Sequence, residues 1–393
     1  MPRAINWIVF LTIALSLIGG VHFWIWGRLV RDLELPLVWQ RLLGVLIGLL
    51  AVSVPLTLYL SRVVDPARGR GPLLALYSWL GITFWLVVLL GGGELIRIAA
   101  WLWERGVSEA APVFMAERRT HLARVLAGAV LLLTAGFTLS GLRSGLGRVQ
   151  VKRVEIKLPK LPKALDGFRI VQLTDVHVGP TIGLDFMQEV VATCNQLRAD
   201  AVVITGDLVD GSVERLATAV APLADLRSRH GTFFVTGNHE YYSGASAWCR
   251  KLTELGIRVL RNEHVSLTGS AGGTLDLAGV DDLHGARTPG HGPDLSAALQ
   301  GRDPRHPLVL LAHQPRMIHQ AVKAGVDLQL SGHTHGGQLW PWHFFVKLQQ
   351  PVVAGLAWFE QTAVYVSSGT GYWGPPLRLG APAEITEVVL RAG

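Results

Sequence analysis

Five short stretches of the sequence carry the aspartate, asparagine and histidine side chains that bind metal ions. They are Asp175-Val176-His177, Gly206-Asp207-Leu208-Val209-Asp210, Gly237-Asn238-His239-Glu240, His313, and Gly332-His333-Thr334-His335-Gly336-Gly337-Gln338. Any one of them is explicable as a turn, because Asp and Asn tolerate tight turns and Gly supplies positive φ. All five together, each directly following a predicted strand in the sequence, indicate a functional site.

Seven of these side chains are candidate metal ligands: Asp175, His177, Asp207, Asn238, His313, His333 and His335. Carboxylates, neutral imidazoles and an amide oxygen suit hard and borderline divalent cations. The set is too large for one four-coordinate catalytic ion, whereas two ions joined by a bridging carboxylate use all of it. The sequence therefore predicts two divalent metal ions. Asp207, which is central in the sequence order of the motifs, is the predicted carboxylate that bridges them. Mn, Fe, Zn and Co all accept these ligands, so the sequence leaves the metal open.

The chemistry that such a pair of ions suits is hydrolysis of a phosphate ester or a pyrophosphate. Two cations about 3.5–4 Å apart lower the pKa of a shared water, so that a metal-bridging hydroxide is available to attack phosphorus at neutral pH. The departing alkoxide needs a proton. His239 adjoins Asn238 without being needed as a ligand, so it is the predicted catalytic general acid.

The elements that must position these side chains follow an α/β pattern. Short apolar runs rich in β-branched residues predict strands at Arg169–Thr174, Ala201–Thr205, Thr232–Thr236, Leu308–Ala312 and Val326–Leu330. Amphipathic stretches between them predict helices at Asp185–Leu197, Val213–Arg227, Ala245–Leu255 and Arg316–Ala324. Strand–helix–strand repetition implies parallel pairing, and ligands collect at the carboxyl ends of parallel strands.

The five motifs, in this order, closely resemble those of the calcineurin-like metallophosphoesterase superfamily: D-x-H, GD-x-x-D, GNH-[DE], a lone His and GH-x-H. The resemblance covers most of 150–393 and is nearest to small bacterial membrane-tethered members. It implies an αββα sandwich of two sheets flanked by helices. It also implies two ligand sets, Asp175, His177, Asp207 and His335 for one ion, and Asp207, Asn238, His313 and His333 for the other. His239 is implied as the acid, and Glu240 as a permitted variant that is not a ligand.

The N-terminal part is predicted to be an all-α transmembrane region. Four stretches contain no Asp, Glu, Lys or Arg, namely 4–27, 42–61, 71–93 and 125–142. Each is long enough for a helix to cross the hydrocarbon layer, which takes about 20 apolar residues. Backbone polar groups must be satisfied in lipid, so these stretches should be helical. The predicted organisation is a membrane region at 1–149 followed by the phosphoesterase domain at 150–393.

The charge distribution bears on partners and on orientation. Residues 1–149 carry 14 Lys/Arg against 7 Asp/Glu, and residues 150–393 carry 22 against 22. Positive charge confined to an apolar region is typical of membrane flanks, so nucleic acid is not an expected partner. Four spans place the N-terminus and the C-terminal domain on one side. That side has ten Lys/Arg near the span ends against eight on the other, which favours a cytoplasmic catalytic domain.

Two further features have alternative interpretations. The stretch Leu339–Phe359 has Lys347 as its only charge and is rich in Trp and Phe. It is either core strand or a surface against the bilayer that admits an acylated substrate, since aromatic residues favour the membrane interface. Arg378 is expected either to reach a substrate phosphate or to form a structural salt bridge.

The leading hypothesis is a membrane-anchored, di-metal phosphoesterase. Its expected phosphorylated substrate is a phospholipid or a lipid pyrophosphate, because membrane lipid lies beside an anchored site. The alternative is a catalytically silent binding or regulatory membrane module, which a missing ligand would favour. A transporter with an accessory domain is disfavoured, because it predicts ionisable groups inside the spans and these are scarce. The sequence does not distinguish monoester, diester and pyrophosphate.

Overall fold

A computed structural model describes residues 2–64, 66–107 and 112–393 of the 393-residue chain. The backbone divides into two compact units. One comprises Met1–Val64 and Gly71–Gly141, and the other comprises Asp65–Arg70 and Leu142–Gly393. The first unit is helical, and the second contains all the described strands.

The first unit is built on four long helices: α1 (Pro2–Leu29), α2 (Leu37–Val63), α3 (Pro66–Val107) and α4 (Pro112–Gly145). Each contains one of the four charge-free stretches and extends beyond it at both ends. Among the described residues, four helices are long and apolar enough to cross a membrane. Their apolar side chains are widely exposed, Leu132 at 77% for example, as expected of surfaces that face lipid rather than water.

The second unit contains two six-stranded sheets. The first sheet has the order β1-β12-β2-β3-β4-β5, in which β2 to β5 run parallel and β12 is antiparallel to β2. Its strands are β1 (Gln150–Leu158), β2 (Arg169–Leu173), β3 (Ala201–Thr205), β4 (Thr232–Val235), β5 (Arg258–Val259) and β12 (Glu384–Ala392). The first strand of the unit therefore pairs with the last.

The second sheet has the order β10-β11-β9-β8-β7-β6. Its four central strands are parallel, and an antiparallel strand lies at each edge. The strands are β6 (Glu263–Thr268), β7 (Thr274–Gly279), β8 (Leu308–Leu311), β9 (Leu328–Ser331), β10 (Gly355–Phe359) and β11 (Thr362–Val366). Because both sheets are mostly parallel, each presents the carboxyl ends of several strands at one edge.

One hydrophobic core joins the two sheets. It contains alternate residues of the first sheet, such as Ile170 and Val203, together with alternate residues of the second, such as Leu277 and Leu330. The opposite face of the second sheet packs on short helices, with Leu310 beside Ile318. This alternation buries both faces of the strands, which explains their nearly continuous apolar sequences.

The helices of this unit are α5 (Leu184–Gln196), α6 (Val213–Val220), α7 (Asn238–Ser243), α8 (Ala245–Glu254), α9 (Leu295–Ala298), α10 (Ile318–Lys323) and α11 (His343–Val346). The predicted mixed α/β fold, preceded by apolar helices, is confirmed. All five predicted strands are present within two residues of their expected ends. The predicted helix at 213–227 is shorter, because a 3-10 turn with Pro222 near its start replaces it from Ala221.

The aromatic stretch 339–359 is not core strand, the first of its two interpretations. It contains the four-residue helix α11 and then only the edge strand β10, in which Trp358 is 48% exposed. Trp340, Trp342, Phe344 and Phe345 are exposed as well.

Candidate metal centre

The predicted ligands follow the carboxyl ends of strands from both sheets. Asp175 and His177 follow β2, Asp207 follows β3, and Asn238 begins α7 just after β4. From the second sheet, His313 follows β8, and His333 and His335 follow β9. The structure brings all seven side chains together at the edge where these strand ends meet.

One group of ligand atoms surrounds His335. Its Nε2 lies 3.4 Å from Asp175 Oδ1 and 3.0 Å from His177 Nε2. The three residues are buried, and their ligand atoms lie within 4.8 Å of one another. The four-ligand expectation for this ion adds Asp207, whose Oδ2 is 4.0 Å from His177 Nε2.

The second group surrounds His313. Its Nε2 lies 3.1 Å from Asp207 Oδ2, 3.2 Å from His333 Nδ1 and 3.2 Å from Asn238 Oδ1. Asp207, His313 and His333 again have ligand atoms within 4.8 Å of one another. Asp207 thus has a side-chain oxygen near imidazole nitrogens of both groups, the position expected of a bridging carboxylate.

The chemistry of this donor set fits divalent cations. Two pairs of imidazole nitrogens face each other at 3.0 Å and 3.2 Å, so each pair needs a proton or a cation between its lone pairs. Two buried carboxylates, Asp175 at 0% and Asp207 at 2% exposed, point at the same imidazoles. A buried concentration of oxygen and nitrogen donors of this kind is costly without a bound cation.

The surrounding charges hold two of the candidate ligands, Asp207 and His335, in metal-binding forms. Burial opposes ionisation of Asp207, but the charge of His313 and its hydrogen bond outweigh burial and hold the pKa of Asp207 well below its usual value. Burial, together with the charges of His177 and Arg378, holds the pKa of His335 well below its usual value. A carboxylate and a neutral imidazole are the forms that bind metal. For His313, burial lowers the pKa, but the charge of Asp207 outweighs burial and raises the pKa well above its usual value.

The backbone at the ligands adopts a conformation that their side chains disfavour. Of the ten non-glycine residues with positive φ in the described ranges, five are predicted ligands. They are Asp175, His177, Asp207, His333 and His335, with φ between 50° and 71°. This left-handed region is uncommon for residues with a Cβ, and such residues concentrate at functional sites.

Glycine is required where the loops pass closest to one another. A Cβ on Gly332 would overlap Asp175 Oδ2 and Thr174 Oγ1, and a Cβ on Gly237 would overlap Asp207 Oδ1. Both motifs thus begin with Gly because the ligand carboxylates of neighbouring strands occupy the space of a side chain.

His239 lies beside the ligands and faces the cleft. Its side chain is 16% exposed, and its Nδ1 lies 2.6 Å from Asp210 Oδ1. Burial lowers the pKa of His239, but the hydrogen bond to Asp210 and the charges of Asp207 and Asp210 outweigh burial and raise it to about 9. His239 Nε2 is 4.0 Å from Asp207 Oδ2, so a protonated imidazole can donate toward the centre.

Sequence reasoning gave no role to two acidic residues that organise the site. Asp210 Oδ1 lies 3.0 Å from His177 Nδ1 as well as beside His239, so it orients a predicted ligand and the predicted acid together. Glu240 is fully buried and accepts hydrogen bonds from the backbone N–H groups of Asp207, Leu208 and Gly237. Both residues belong to the motifs, Asp210 as the second Asp of GD-x-x-D and Glu240 as the acid of GNH-[DE]. Their motif positions were the signal by which sequence reasoning could have found them.

Both expectations for Arg378 are wrong, because its guanidinium neither faces the cleft nor pairs with a carboxylate in its described hydrogen bonds. The residue is 1% exposed and donates to the backbone carbonyls of Gly371 and Ala381, each from a nitrogen 2.8 Å away. Its Nη2 also lies 3.2 Å from Nδ1 of His335. Arg378 therefore fastens the C-terminal loop to a predicted ligand.

A cleft of about 640 Å³ opens over the cluster. Predicted ligands and His239 form its floor. Its walls are apolar and aromatic, formed in part by Tyr242, Trp342, Phe345, Leu348 and Trp373. The cleft therefore combines the candidate metal ligands with an apolar and aromatic lining.

Comparisons with known proteins find relatives of one family. The family model described as calcineurin-like phosphoesterase matches residues 168–337. The chain is 38% identical over 392 residues to a Danio rerio transmembrane protein with metallophosphoesterase domain, covering 96% of this chain and 87% of that protein. A Bos taurus protein of the same description is 42% identical, covering 78% and 70%. An uncharacterized metallophosphoesterase of Helicobacter pylori is 42% identical, covering 69% and 72%.

Proposed function

The chain belongs to the calcineurin-like metallophosphoesterase family, and on this basis we propose that it is a membrane-anchored, di-metal hydrolase of phosphate esters or pyrophosphates. The observation that carries the proposal is the buried contact of Asp207 with both groups of candidate ligands. Membership of the family implies a phosphorylated substrate. The candidate metal ligands that line the cleft provide the nitrogen and oxygen donors that would bind two divalent cations.

Seven side chains would hold two divalent cations, and Asp207 lies near both groups of ligands. Asp175, His177 and His335 complete one site, and Asn238, His313 and His333 complete the other. When bound, two divalent cations supply hydroxide at neutral pH and neutralise the phosphoryl group. Mn, Fe, Zn and Co are all compatible with this set of nitrogen and oxygen donors.

His239 is the proposed general acid, and Asp210 orients it. With Nδ1 bonded to Asp210, the imidazole holds its second proton on Nε2, facing the cleft. That proton is transferred to the leaving oxygen as its bond to phosphorus breaks. Asp210 holds the ring by its second nitrogen and stabilises the imidazolium before transfer.

The proposed location is the cytoplasmic side of a membrane crossed four times. Four apolar helices support the anchor, and the excess of Lys/Arg on the side of both termini supports the orientation. Anchoring places the cleft near lipid-linked phosphates, and its apolar walls suit an acylated substrate. A phospholipid or a lipid pyrophosphate is therefore the proposed substrate class.

The proposal is tested with full-length protein purified in detergent, stripped of metal and reloaded singly with each of the four ions. Hydrolysis of p-nitrophenyl phosphate, its bis-ester and a lipid pyrophosphate is measured. We expect Asp207→Asn to abolish hydrolysis of all three, whereas Asp303→Asn, which removes a carboxylate remote from the cluster, should not. A wild-type protein that binds metal but hydrolyses none of them would favour the catalytically silent binding or regulatory module instead.

A further inference from the structure

The residues Trp340–Leu348, here called the aromatic ridge, form an unusually apolar surface on the phosphoesterase unit. Trp342 is 49% exposed, Phe344 57% and Leu348 81%. Of the twelve exposed large apolar side chains between residues 142 and 393, five lie in these nine residues. Soluble surfaces seldom concentrate apolar side chains in this way unless they contact a membrane or another protein.

The aromatic ridge is held in place by its backbone. Trp342 N–H donates to Leu339 carbonyl at 2.7 Å, and Phe345 N–H donates to Trp342 carbonyl at 2.9 Å. After the ridge, the side chain of Gln350 is buried and accepts a hydrogen bond from the Arg316 N–H at 3.1 Å. The ridge is thus anchored at its base while its aromatic tips point outward.

Some residues of the aromatic ridge, but not Phe344, also line the cleft. Trp342 and Phe345 line the same 640 Å³ cleft as His239 and His335. Trp373, 57% exposed, contributes another apolar part of the lining and lies with its ring centroid 6.0 Å from that of His239. A surface that binds the ridge therefore lies at the mouth of the cleft.

Two features of the chain indicate that the partner of the aromatic ridge is a lipid bilayer: the short link to α4 and the composition of the ridge. Only residues 146–149 separate α4 from β1, and a link of that length spans at most about 14 Å. The ridge combines Trp and Phe with Lys347 as its single charge, a composition suited to the level of lipid headgroups, where aromatic rings and a cation both find partners.

We propose that the aromatic ridge inserts into the interfacial layer of the bilayer that holds α1–α4, so that the cleft opens at the level of the lipid headgroups. This inference rests on the proposed function and narrows it to substrates that remain in the membrane. The phosphate reaches the metal ligands while the acyl chains stay between the ridge and the lipid.

Insertion is measured on the full chain in nanodiscs of phosphatidylcholine and phosphatidylglycerol. In a Cys249→Ser background, Phe344→Cys carries a nitroxide, and Arg305→Cys carries the same label as a control on an exposed polar side chain. We expect the label at 344 to be accessible to oxygen and shielded from an aqueous nickel chelate, and the label at 305 to show the reverse. Equal exposure of both labels to the nickel chelate would overturn the insertion.

A kinetic comparison tests the consequence for substrates. Phe344 does not line the cleft, so Phe344→Asp should leave hydrolysis of soluble p-nitrophenyl phosphate unchanged. Hydrolysis of a lipid pyrophosphate in the nanodisc should fall about tenfold, the loss expected when one buried Phe side chain no longer contributes. Leu184→Asp, at an exposed leucine outside the ridge, should retain both activities. Parallel loss of both activities in Phe344→Asp would contradict the ridge's role.

The two proposals fail in different ways. If the wild-type protein hydrolyses neither substrate while the label at 344 is buried in lipid, the phosphoesterase function is wrong and the membrane contact stands. If soluble ester is hydrolysed while that label faces water, the phosphoesterase function stands and the membrane contact is wrong.

Discussion

His239 Nδ1 and Asp210 Oδ1 lie 2.6 Å apart, and the same carboxylate oxygen lies 3.0 Å from Nδ1 of His177. One acid thus sets the orientation of two rings that serve different purposes, a predicted metal ligand and a predicted proton donor. Burial opposes ionisation of Asp210, yet the charges of both histidines and their hydrogen bonds hold its pKa far below the usual value. It is therefore a fixed negative charge beneath both imidazoles.

His239→Ala should reduce hydrolysis according to the leaving group. An alkyl phosphate needs a proton on its departing oxygen, so we expect a loss of about 10²–10⁴-fold in kcat. A nitrophenolate leaves without protonation, so p-nitrophenyl phosphate should be affected much less. Steady-state kinetics on both esters check this. Equal loss on the two would remove His239 from the role of acid.

Asp210→Asn should give a different pattern, because Asp210 supports a ligand as well as the acid. Both esters should be hydrolysed more slowly, and the metal content after dialysis should fall, since loss of a residue that orients a metal ligand typically costs 10–100-fold in affinity. Elemental analysis of the dialysed protein measures it. Asp294→Asn, which changes a helix cap remote from the site, serves as the control. Full metal content in Asp210→Asn would contradict the role in orienting His177.

Arg378→Lys should lower the occupancy of the site that contains His335. A single ammonium cannot reach the carbonyls of Gly371 and Ala381 and the ring of His335 together, as the guanidinium does. Elemental analysis should show reduced metal, and thermal unfolding should show reduced stability. Arg305→Lys, on the surface, should change neither. Undiminished metal binding in Arg378→Lys would mean that the arginine stabilises the loop without orienting the ligand.

The candidate ligands were accessible to sequence reasoning because their placement depends on strand order. Parallel strands deliver whatever follows them to one edge, so short motifs after apolar runs sufficed for Asp175, Asp207 and His313. The role of Asp210 depends instead on the approach of two loops that bring together residues 33 positions apart. Nothing in the local pattern specifies which imidazole that carboxylate meets.

Backbone conformation and long-range pairing were equally inaccessible. Aspartate and histidine do not by their identity predict the left-handed φ that Asp207 and His335 adopt. The pairing of β1 with β12 joins the two ends of the unit, and apolar alternation cannot specify such a partner. Burial of Arg378 was also missed, because a lone arginine in a Pro- and Gly-rich stretch gives no sign that its partners are carbonyl groups.

Glu240→Gln should destabilise the two loops that carry Asp207 and Asn238. Glu240 accepts three backbone N–H bonds, and an amide replaces one accepting oxygen by a donor that faces another donor. The expected loss of unfolding free energy is about 1–3 kcal/mol, the cost of leaving a buried donor unsatisfied. Denaturant unfolding of the metal-free protein measures it. Glu254→Gln, on the surface of α8, is the matched control, and equal stability of the two variants would contradict the role of Glu240.

Metal binding should stabilise the protein, since the ligand cluster exists only in the folded state. At a free metal concentration 100 times the dissociation constant, the gain is about 2.7 kcal/mol. Thermal unfolding of the full chain in detergent should therefore show a higher Tm with Mn, Fe, Zn or Co than with a chelator. Asp207→Asn should remove most of this increase because it weakens both sites, whereas Asp303→Asn should preserve it. A Tm that none of the four ions raises would contradict metal binding by this cluster, whatever the activity of the protein.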